Sequence, residues 1–160
     1  MRKLEIDQRA STTATPETVY ALLADGASWP TWSGIDSFEL EQPGDQGGES
    51  LNAIRVFRTG RRTVSRERRV ELVPGRRLSY ALLSGLPLKD YRADVDLTPS
   101  EGGTSIRWHS TFFPGRRGTG WLYRLILSTF IKRCVKGLAE HAAATAAPAA
   151  ATDGRATAER

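Results

Sequence analysis

The stretch from Thr119 to His141 constrains the fold most, because no other segment could form a helix of about six turns. Its apolar side chains recur at helical spacing and form two adjacent lines along one side of the helix. The first line is Leu122, Ile126, Phe130, Cys134 and Leu138, and the second is Tyr123, Leu127 and Ile131. Thr119 is the predicted N-cap. Such a helix must bury a broad stripe, and nearly everything before it has the pattern of strands. The sequence therefore predicts one sheet wrapped around one helix.

The chain before this helix divides into short elements. Residues 3–11 alternate as a half-buried strand does, and Thr15 with Pro16 predicts the start of a short helix. Trp29 to Gly34 contains proline and glycine and is predicted to be a loop. Alternating segments separated by turn signals then predict a mostly antiparallel meander: 35–42, 50–58, 62–73, 76–84, 89–97 and 104–113.

The 160 residues suit one domain, which we place at residues 1–143. Residues 144–160 are rich in alanine and threonine and have no large apolar side chain, so we predict a disordered tail there. No signal peptide precedes the first strand. The apolar run of the long helix is interrupted by Arg124 and has fewer residues than the roughly 20 that span a membrane. A soluble, cytoplasmic protein is expected.

Charge is segregated along the chain. Residues 1–54 carry a net charge of −6 and residues 55–77 carry +7, within a total of +5. The arginine-rich segment could meet an anionic ligand, an acidic partner or nucleic acid, or it could be the solvated side of a sheet, which we favour. Only Phe57 is aromatic within it, so stacking platforms for single-stranded nucleic acid are lacking.

Several enzyme signatures are missing from the sequence. It has no GxSxG, Walker-type or HExxH motif, and two histidines and one cysteine cannot build a zinc site. We therefore predict no metal and no cofactor. Cys134 falls on the apolar line of the helix and is expected to be a buried packing thiol.

Three segments together resemble a known superfamily. Thr15 to Leu23 looks like its opening proline and amphipathic helix, Trp29-Pro30-Thr31-Trp32 looks like its tryptophan-bearing loop, and Val70 to Tyr80 is similar to its strand–Pro–strand hairpin. Over residues 3–142 the chain resembles the START/polyketide-cyclase/Bet v 1-like (SRPBCC) superfamily, most closely bacterial polyketide cyclase/dehydrase-like proteins. The resemblance implies an α+β helix-grip fold, with a curved antiparallel sheet around the C-terminal helix and a short helix and loop between strands 1 and 2.

That fold implies a cavity between sheet and helix. Its expected lining is aromatic and apolar: Trp32, Tyr80, Tyr91, Trp108 and Phe112, with Tyr123, Leu127 and Phe130 from the helix. Arg66 and Arg68 join this list as ligand-binding candidates if Val64, Val70 and Leu72 point inward, because a buried arginine must be paired or hold an anion. A one-residue bulge would reverse that assignment.

Three functions are compatible with these features. We rank first the binding of a small hydrophobic or aromatic ligand such as a lipid, quinone or polyketide-like molecule. Polyketide cyclase-type acid/base catalysis ranks second, with no catalytic residue assigned; the positions to examine are Tyr80, Tyr91, Arg66, Glu67, Arg68 and His109, the last expected to face solvent. Association with RNA or ribosomes ranks third. Arg116, Arg117 and Trp121 could also make transient contact with an anionic membrane surface.

Overall fold

The computed structural model describes residues 1–146, and of residues 62–64 it describes the backbone alone. This described part contains seven strands and three helices, in this order: β1 (Leu4–Thr12), α1 (Pro16–Ala24), α2 (Trp29–Trp32), β2 (Ser37–Gln42), β3 (Ile54–Thr59), β4 (Arg62–Val73), β5 (Arg77–Ser84), β6 (Leu88–Ser100), β7 (Gly103–Pro114) and α3 (Gly120–Ala146). A short 3-10 turn, Gly26–Ser28, joins α1 to α2.

The seven strands form one antiparallel sheet in the order β1-β7-β6-β5-β4-β3-β2. Strands β2 to β7 are a meander in which each strand pairs with the next, and β1 closes the other edge against β7. Helix α3 returns across the sheet and packs mainly on β1 and β7. The predicted helix-grip fold is confirmed.

Local signals set the first helix where the sequence predicts it. The hydroxyl of Thr15 accepts a hydrogen bond from the Thr18 backbone N–H at 3.2 Å, and Pro16 occupies the first helical position. The prediction of a loop over Trp29–Trp32 is wrong, since these residues form the single turn of α2. Pro30 falls in that first turn, where its missing N–H would have no helical partner.

The start of the third strand also differs from the prediction. The third strand begins at Ile54 and not at residue 50, because residues 44–53 fold into successive turns. Asn52, with φ 67°, adopts the left-handed conformation in this segment, which a strand does not contain.

Helix α3 departs from the prediction at both ends. Thr119 does not cap it with its side chain: the hydroxyl donates to the Arg116 carbonyl at 2.8 Å. Residues 144–146, which we assigned to the tail, are the last helical residues, and the remainder of the predicted tail lies outside the described residues.

The buried face of α3 is also shifted from the predicted line. Its buried residues start at the third turn, with Leu127, Ile131, Cys134, Val135, Leu138, Ala139 and Ala142. Leu122 and Ile126, on the predicted line in the first two turns, are 40% and 49% exposed.

Candidate functional site

A cavity of about 330 Å³ lies between the middle strands of the sheet, the α2 segment and α3. Its wall is mostly apolar: Trp29, Ile35, Leu82, Leu86, Leu127 and Phe130. Ser65, Glu67, Tyr80 and Tyr91 supply the polar side chains of the lining. Ile126 also lines the cavity although it is 49% exposed, so it lies at the opening, near Gly85 and Leu86 of the β5–β6 turn.

Four of the residues predicted to line the cavity do so: Tyr80, Tyr91, Leu127 and Phe130. The Tyr80 oxygen accepts a hydrogen bond from the indole N–H of Trp108 at 3.2 Å, which leaves its own hydrogen for another partner. Burial raises the pKa of Tyr91 to about 12 and that of Tyr80 well above its usual range. Both hydroxyls therefore remain protonated and can donate hydrogen bonds.

Three predicted lining residues, Trp32, Trp108 and Phe112, lie instead in the aromatic core beside the cavity. The rings of Trp29 and Trp108 are 5.6 Å apart and nearly perpendicular, and those of Trp32 and Trp29 are 4.8 Å apart. Phe112 lies 6.2 Å from Tyr91, centroid to centroid. These contacts between rings fill the space that a wider cavity would need, so the three residues support the wall without forming it.

Tyr123 belongs to a different depression. It lines a surface cleft of about 310 Å³ with Pro87, Arg116 and Thr119, at the start of α3. Arg116, in the turn between β7 and α3, therefore lies at this cleft, whereas Gly85 and Leu86 of the β5–β6 turn lie at the cavity.

Arg66 and Arg68 lie on the opposite face of β4 from the cavity lining. Pairing of β4 with β5 shifts register between Arg66 and Glu67 and again between Arg69 and Glu71. Val70 is the extra residue on β4 at the second of these shifts. Glu67 and Arg69, before it, are buried, whereas Arg66 is half-exposed and pairs with Glu41 at 2.6 Å (Nε to Oε2). The inward placement considered for Arg66 and Arg68 is therefore wrong, and the reversal by a bulge is what occurs.

A buried ion cluster stands directly behind the cavity. Arg55 is fully buried, and its Nη2 donates to Glu67 Oε1 at 2.6 Å. Its Nη1 donates to the Leu23 carbonyl at 3.2 Å, at the C-terminal end of α1, where a cation is favoured. Arg69 donates to the Ala24 carbonyl and reaches Glu49 Oε1 at 3.3 Å. Two arginines and two carboxylates thus lie together, and their charges cancel.

Aromatic rings complete the enclosure of Arg55. Its guanidinium carbon lies 4.9 Å from the Trp29 ring centroid and 5.0 Å from that of Phe57. Burial and the neighbouring Arg55 charge lower the pKa of Arg69 to about 10, which keeps Arg69 charged at neutral pH.

Glu67 links this cluster to the cavity, since it belongs both to the ion pair and to the lining. It is 2% exposed. Removal from water raises the pKa of its carboxyl, while the charge and hydrogen bond of Arg55 oppose that rise. Glu67 was among the positions to examine for acid/base chemistry but not among the predicted ligand-binding residues.

Sequence reasoning missed most of the remaining lining. Ser65, Leu82 and Leu86 give no distinctive signal, and Trp29 was expected in a loop. One signal was available: Arg55 interrupts the apolar run from Ala53 to Phe57, and a charge in such a run requires a buried partner.

The other titratable candidates lie away from the cavity. His109 Nε2 is 2.7 Å from Asp96 Oδ2, in an ion-paired group with Arg77 on the outer side of β6 and β7. Cys134 is fully buried, as expected, and burial raises the pKa of its thiol to about 12. Within residues 1–146, no helix has the length and apolar content to cross a membrane.

A family model described as polyketide cyclase / dehydrase and lipid transport matches residues 3–147. The chain belongs to this family. The resemblance noted from the sequence is therefore confirmed, and family and fold are those of START/Bet v 1-like ligand-binding domains. No curated protein matches the sequence.

Solved structures show the same fold at low sequence identity. A START superfamily protein from Mycobacterium smegmatis superposes with a TM-score of 0.72 and 11% identity, covering 88% of this chain and 98% of its own. Ara h 8.0201 superposes with a TM-score of 0.72 and 12% identity, covering 89% of this chain and 99% of its own. A protein from Thermus thermophilus superposes with a TM-score of 0.68 and 20% identity, covering 89% of this chain and 99% of its own. At these identities the likeness extends to the fold alone.

Proposed function

We propose that this polyketide cyclase/START-like protein binds a small hydrophobic or aromatic molecule, such as a lipid, quinone or polyketide-like compound, in the cavity between sheet and helix. The observation that carries the proposal is a cavity of about 330 Å³ with an apolar wall and a few convergent polar groups. That combination is the usual form of a small-molecule site. Members of this fold family bind small hydrophobic ligands generally.

The test is native mass spectrometry of the protein purified from its own host, followed by extraction under denaturing conditions. A stoichiometric apolar ligand is expected. Replacing Ile126 at the opening with Trp should abolish retention, whereas the matched Leu125→Trp change, one residue earlier and outside the lining, should not. An empty protein whose melting temperature no apolar compound raises would contradict the proposal.

Acid/base catalysis is the second candidate, and Glu67 is the observation that favours it. A carboxyl with a raised pKa and two protonated tyrosine hydroxyls, Tyr80 and Tyr91, converge on one apolar cavity. Such a set can move a proton on a bound carbonyl compound. Once a ligand is identified, Glu67→Gln should then abolish turnover in a protein that still binds it. Equal turnover in wild type and variant would exclude this role.

Contact with an anionic membrane surface is proposed as the route of ligand exchange. The α3 apolar patch, defined as Trp121, Leu122, Leu125 and Ile126, is exposed, and Trp121 is 69% exposed. Arg117 borders Trp121, and Arg124 lies on the same turns of α3. An apolar patch among arginines suits an interface rich in anionic lipid, and Ile126 connects the patch to the cavity opening.

The nucleic-acid alternative has the least support. It requires the arginines of residues 55–77 to form one external face, but Arg55 and Arg69 are buried. Arg58, Arg66 and Arg77 each hold a carboxylate at 2.6 Å. The cytoplasm remains the proposed location.

A further inference from the structure

We infer that Glu67 makes the cavity selective for apolar ligands that carry a hydrogen-bond donor, a hydroxyl or an amine, and that it excludes ligands with a carboxylate or sulfonate at that end. The inference rests on the proposed function and specifies the ligand class. It reverses the expectation that arginines in the cavity hold an anion.

The first support is the charge of the lining. Among the residues that the structure places in the cavity wall, Glu67 is the one acidic side chain, and no Lys, Arg or His accompanies it. An anionic ligand would therefore enter an apolar space beside a carboxylate and lose its hydration without gaining a cation.

The second support is the position of the nearest cations. Arg55 and Arg69 lie behind Glu67, outside the lining, and both already bind carboxylates and the carbonyls at the end of α1. Arg55 donates to Oε1 of Glu67 and keeps that carboxylate in place. A ligand anion could reach these guanidinium groups only by displacing Glu67 from the cluster.

The third support is the hydrogen-bonding inventory at this end of the cavity. Glu67 supplies an acceptor, and the hydroxyl of Tyr80, whose oxygen accepts from Trp108, supplies a donor. A ligand hydroxyl can donate to Glu67 and accept from Tyr80 at the same time. An ether cannot donate, and a carboxylate can only accept.

The test uses three probes of similar size: naphthol, methoxynaphthalene and naphthoate, substituted at the same ring position. Binding to the wild-type chain is measured by titration calorimetry. Naphthol should bind about tenfold or more tightly than methoxynaphthalene, since a hydrogen bond to a charged group is lost, and more tightly still than naphthoate.

Two matched variants locate the selectivity. Glu67→Gln keeps a carbonyl acceptor for Arg55 but removes the negative charge, so the disadvantage of naphthoate relative to naphthol should shrink about tenfold. Glu71→Gln is the control, because Glu71 lies on the same strand in an ion pair with Arg92 on the other face. Its selectivity should equal that of wild type. Circular dichroism and thermal melting confirm that both variants fold.

The outcomes separate the two proposals. If the wild-type chain binds all three probes equally, the cavity binds ligands but the inference about Glu67 is wrong. The inference is also wrong if a folded Glu67→Gln protein retains the full selectivity. If none of the three probes binds, the proposed function itself loses its support. The comparison of the three probes on the wild-type chain uses no variant. It therefore still tests the inference if the Glu67→Gln protein does not fold.

Discussion

Arg55 Nη2 and Glu67 Oε1 lie 2.6 Å apart in a part of the protein where neither side chain is more than 2% exposed. The two residues face each other across β3 and β4, where Arg55 pairs in register with Glu67. Through Leu23 the same guanidinium holds the end of α1. One buried pair therefore joins the two strands, the first helix and the cavity wall.

Breaking this pair on one side should destabilise the protein severely. Arg55→Leu leaves a buried carboxylate without its partner, and we expect a loss of about 3–5 kcal/mol in the free energy of unfolding. Arg55→Leu combined with Glu67→Leu should cost less than the sum of the single changes, because neither charge is then stranded. Urea denaturation of the four proteins measures this cycle.

The control for that cycle is Arg58→Leu. Arg58 also pairs with a carboxylate at 2.6 Å, that of Glu39, but both side chains are exposed, so the expected loss is about 0–1 kcal/mol. A cost for Arg55→Leu no greater than that of Arg58→Leu would show that burial adds nothing to the pair.

Membrane contact can be followed with the protein's own fluorescence. Of the four tryptophans, Trp121 is 69% exposed, whereas Trp29, Trp32 and Trp108 are at most 6% exposed. Vesicles rich in anionic lipid should therefore shift the emission to shorter wavelength through Trp121, and added salt should reverse the shift.

Two comparisons decide whether that shift reports membrane contact. Arg117→Glu and uncharged vesicles should each abolish it. A shift that appears without lipid as protein concentration rises would instead identify a second copy of this chain as the occupant of the patch.

Strand alternation predicted much of the fold and half of the cavity's aromatic lining. In β6 and β7 alternate residues are buried, as a half-buried strand requires: Tyr91, Ala93, Val95 and Leu97, then Ile106, Trp108, Ser110 and Phe112. From Arg92 to Ser100 these strands pair without a register shift. The alternation of apolar and polar residues in the sequence therefore matches the alternation of inward and outward side chains in the structure. Tyr91, which immediately precedes this regular stretch, is found by that alternation.

The same rule failed in β4, because an extra residue in a strand exchanges the faces of the residues that follow it. Val70 is that extra residue at the register shift between Arg69 and Glu71, so Glu67 and Arg69 are buried before it and Leu72 packs on the core after it. Sequence periodicity does not mark where a bulge occurs. For α3 it predicted an apolar line but not that Leu122 and Ile126, in the first two turns, are exposed.

Close packing of α3 on α2 gives a further prediction. A Cβ at Gly137 would meet the backbone carbonyl oxygen of Trp32, and a backbone atom cannot move aside as a flexible side chain can. Helix propensity favours Ala over Gly by about 1 kcal/mol, but we expect Gly137→Ala to lower the free energy of unfolding by about 1–3 kcal/mol. Lys136→Ala, on the exposed side of the same turn, should have little effect. A more stable Gly137→Ala protein in urea denaturation would contradict the close contact.

Burial of Tyr91 predicts a loss of stability at high pH. Its pKa is raised to about 12 in the folded protein and is near 10 when the chain unfolds. Between those values the unfolded chain releases a proton that the folded protein keeps, so the free energy of unfolding falls as pH rises, by up to about 1.4 kcal/mol per pH unit from this residue. Tyr91→Phe has no proton to release. Urea denaturation measured from pH 9 upward should therefore show that the free energy of unfolding of the wild type, relative to that of Tyr91→Phe, is constant below about pH 10 and declines above it. Parallel curves for the two proteins would mean that the hydroxyl of Tyr91 ionises as readily in the cavity wall as in water.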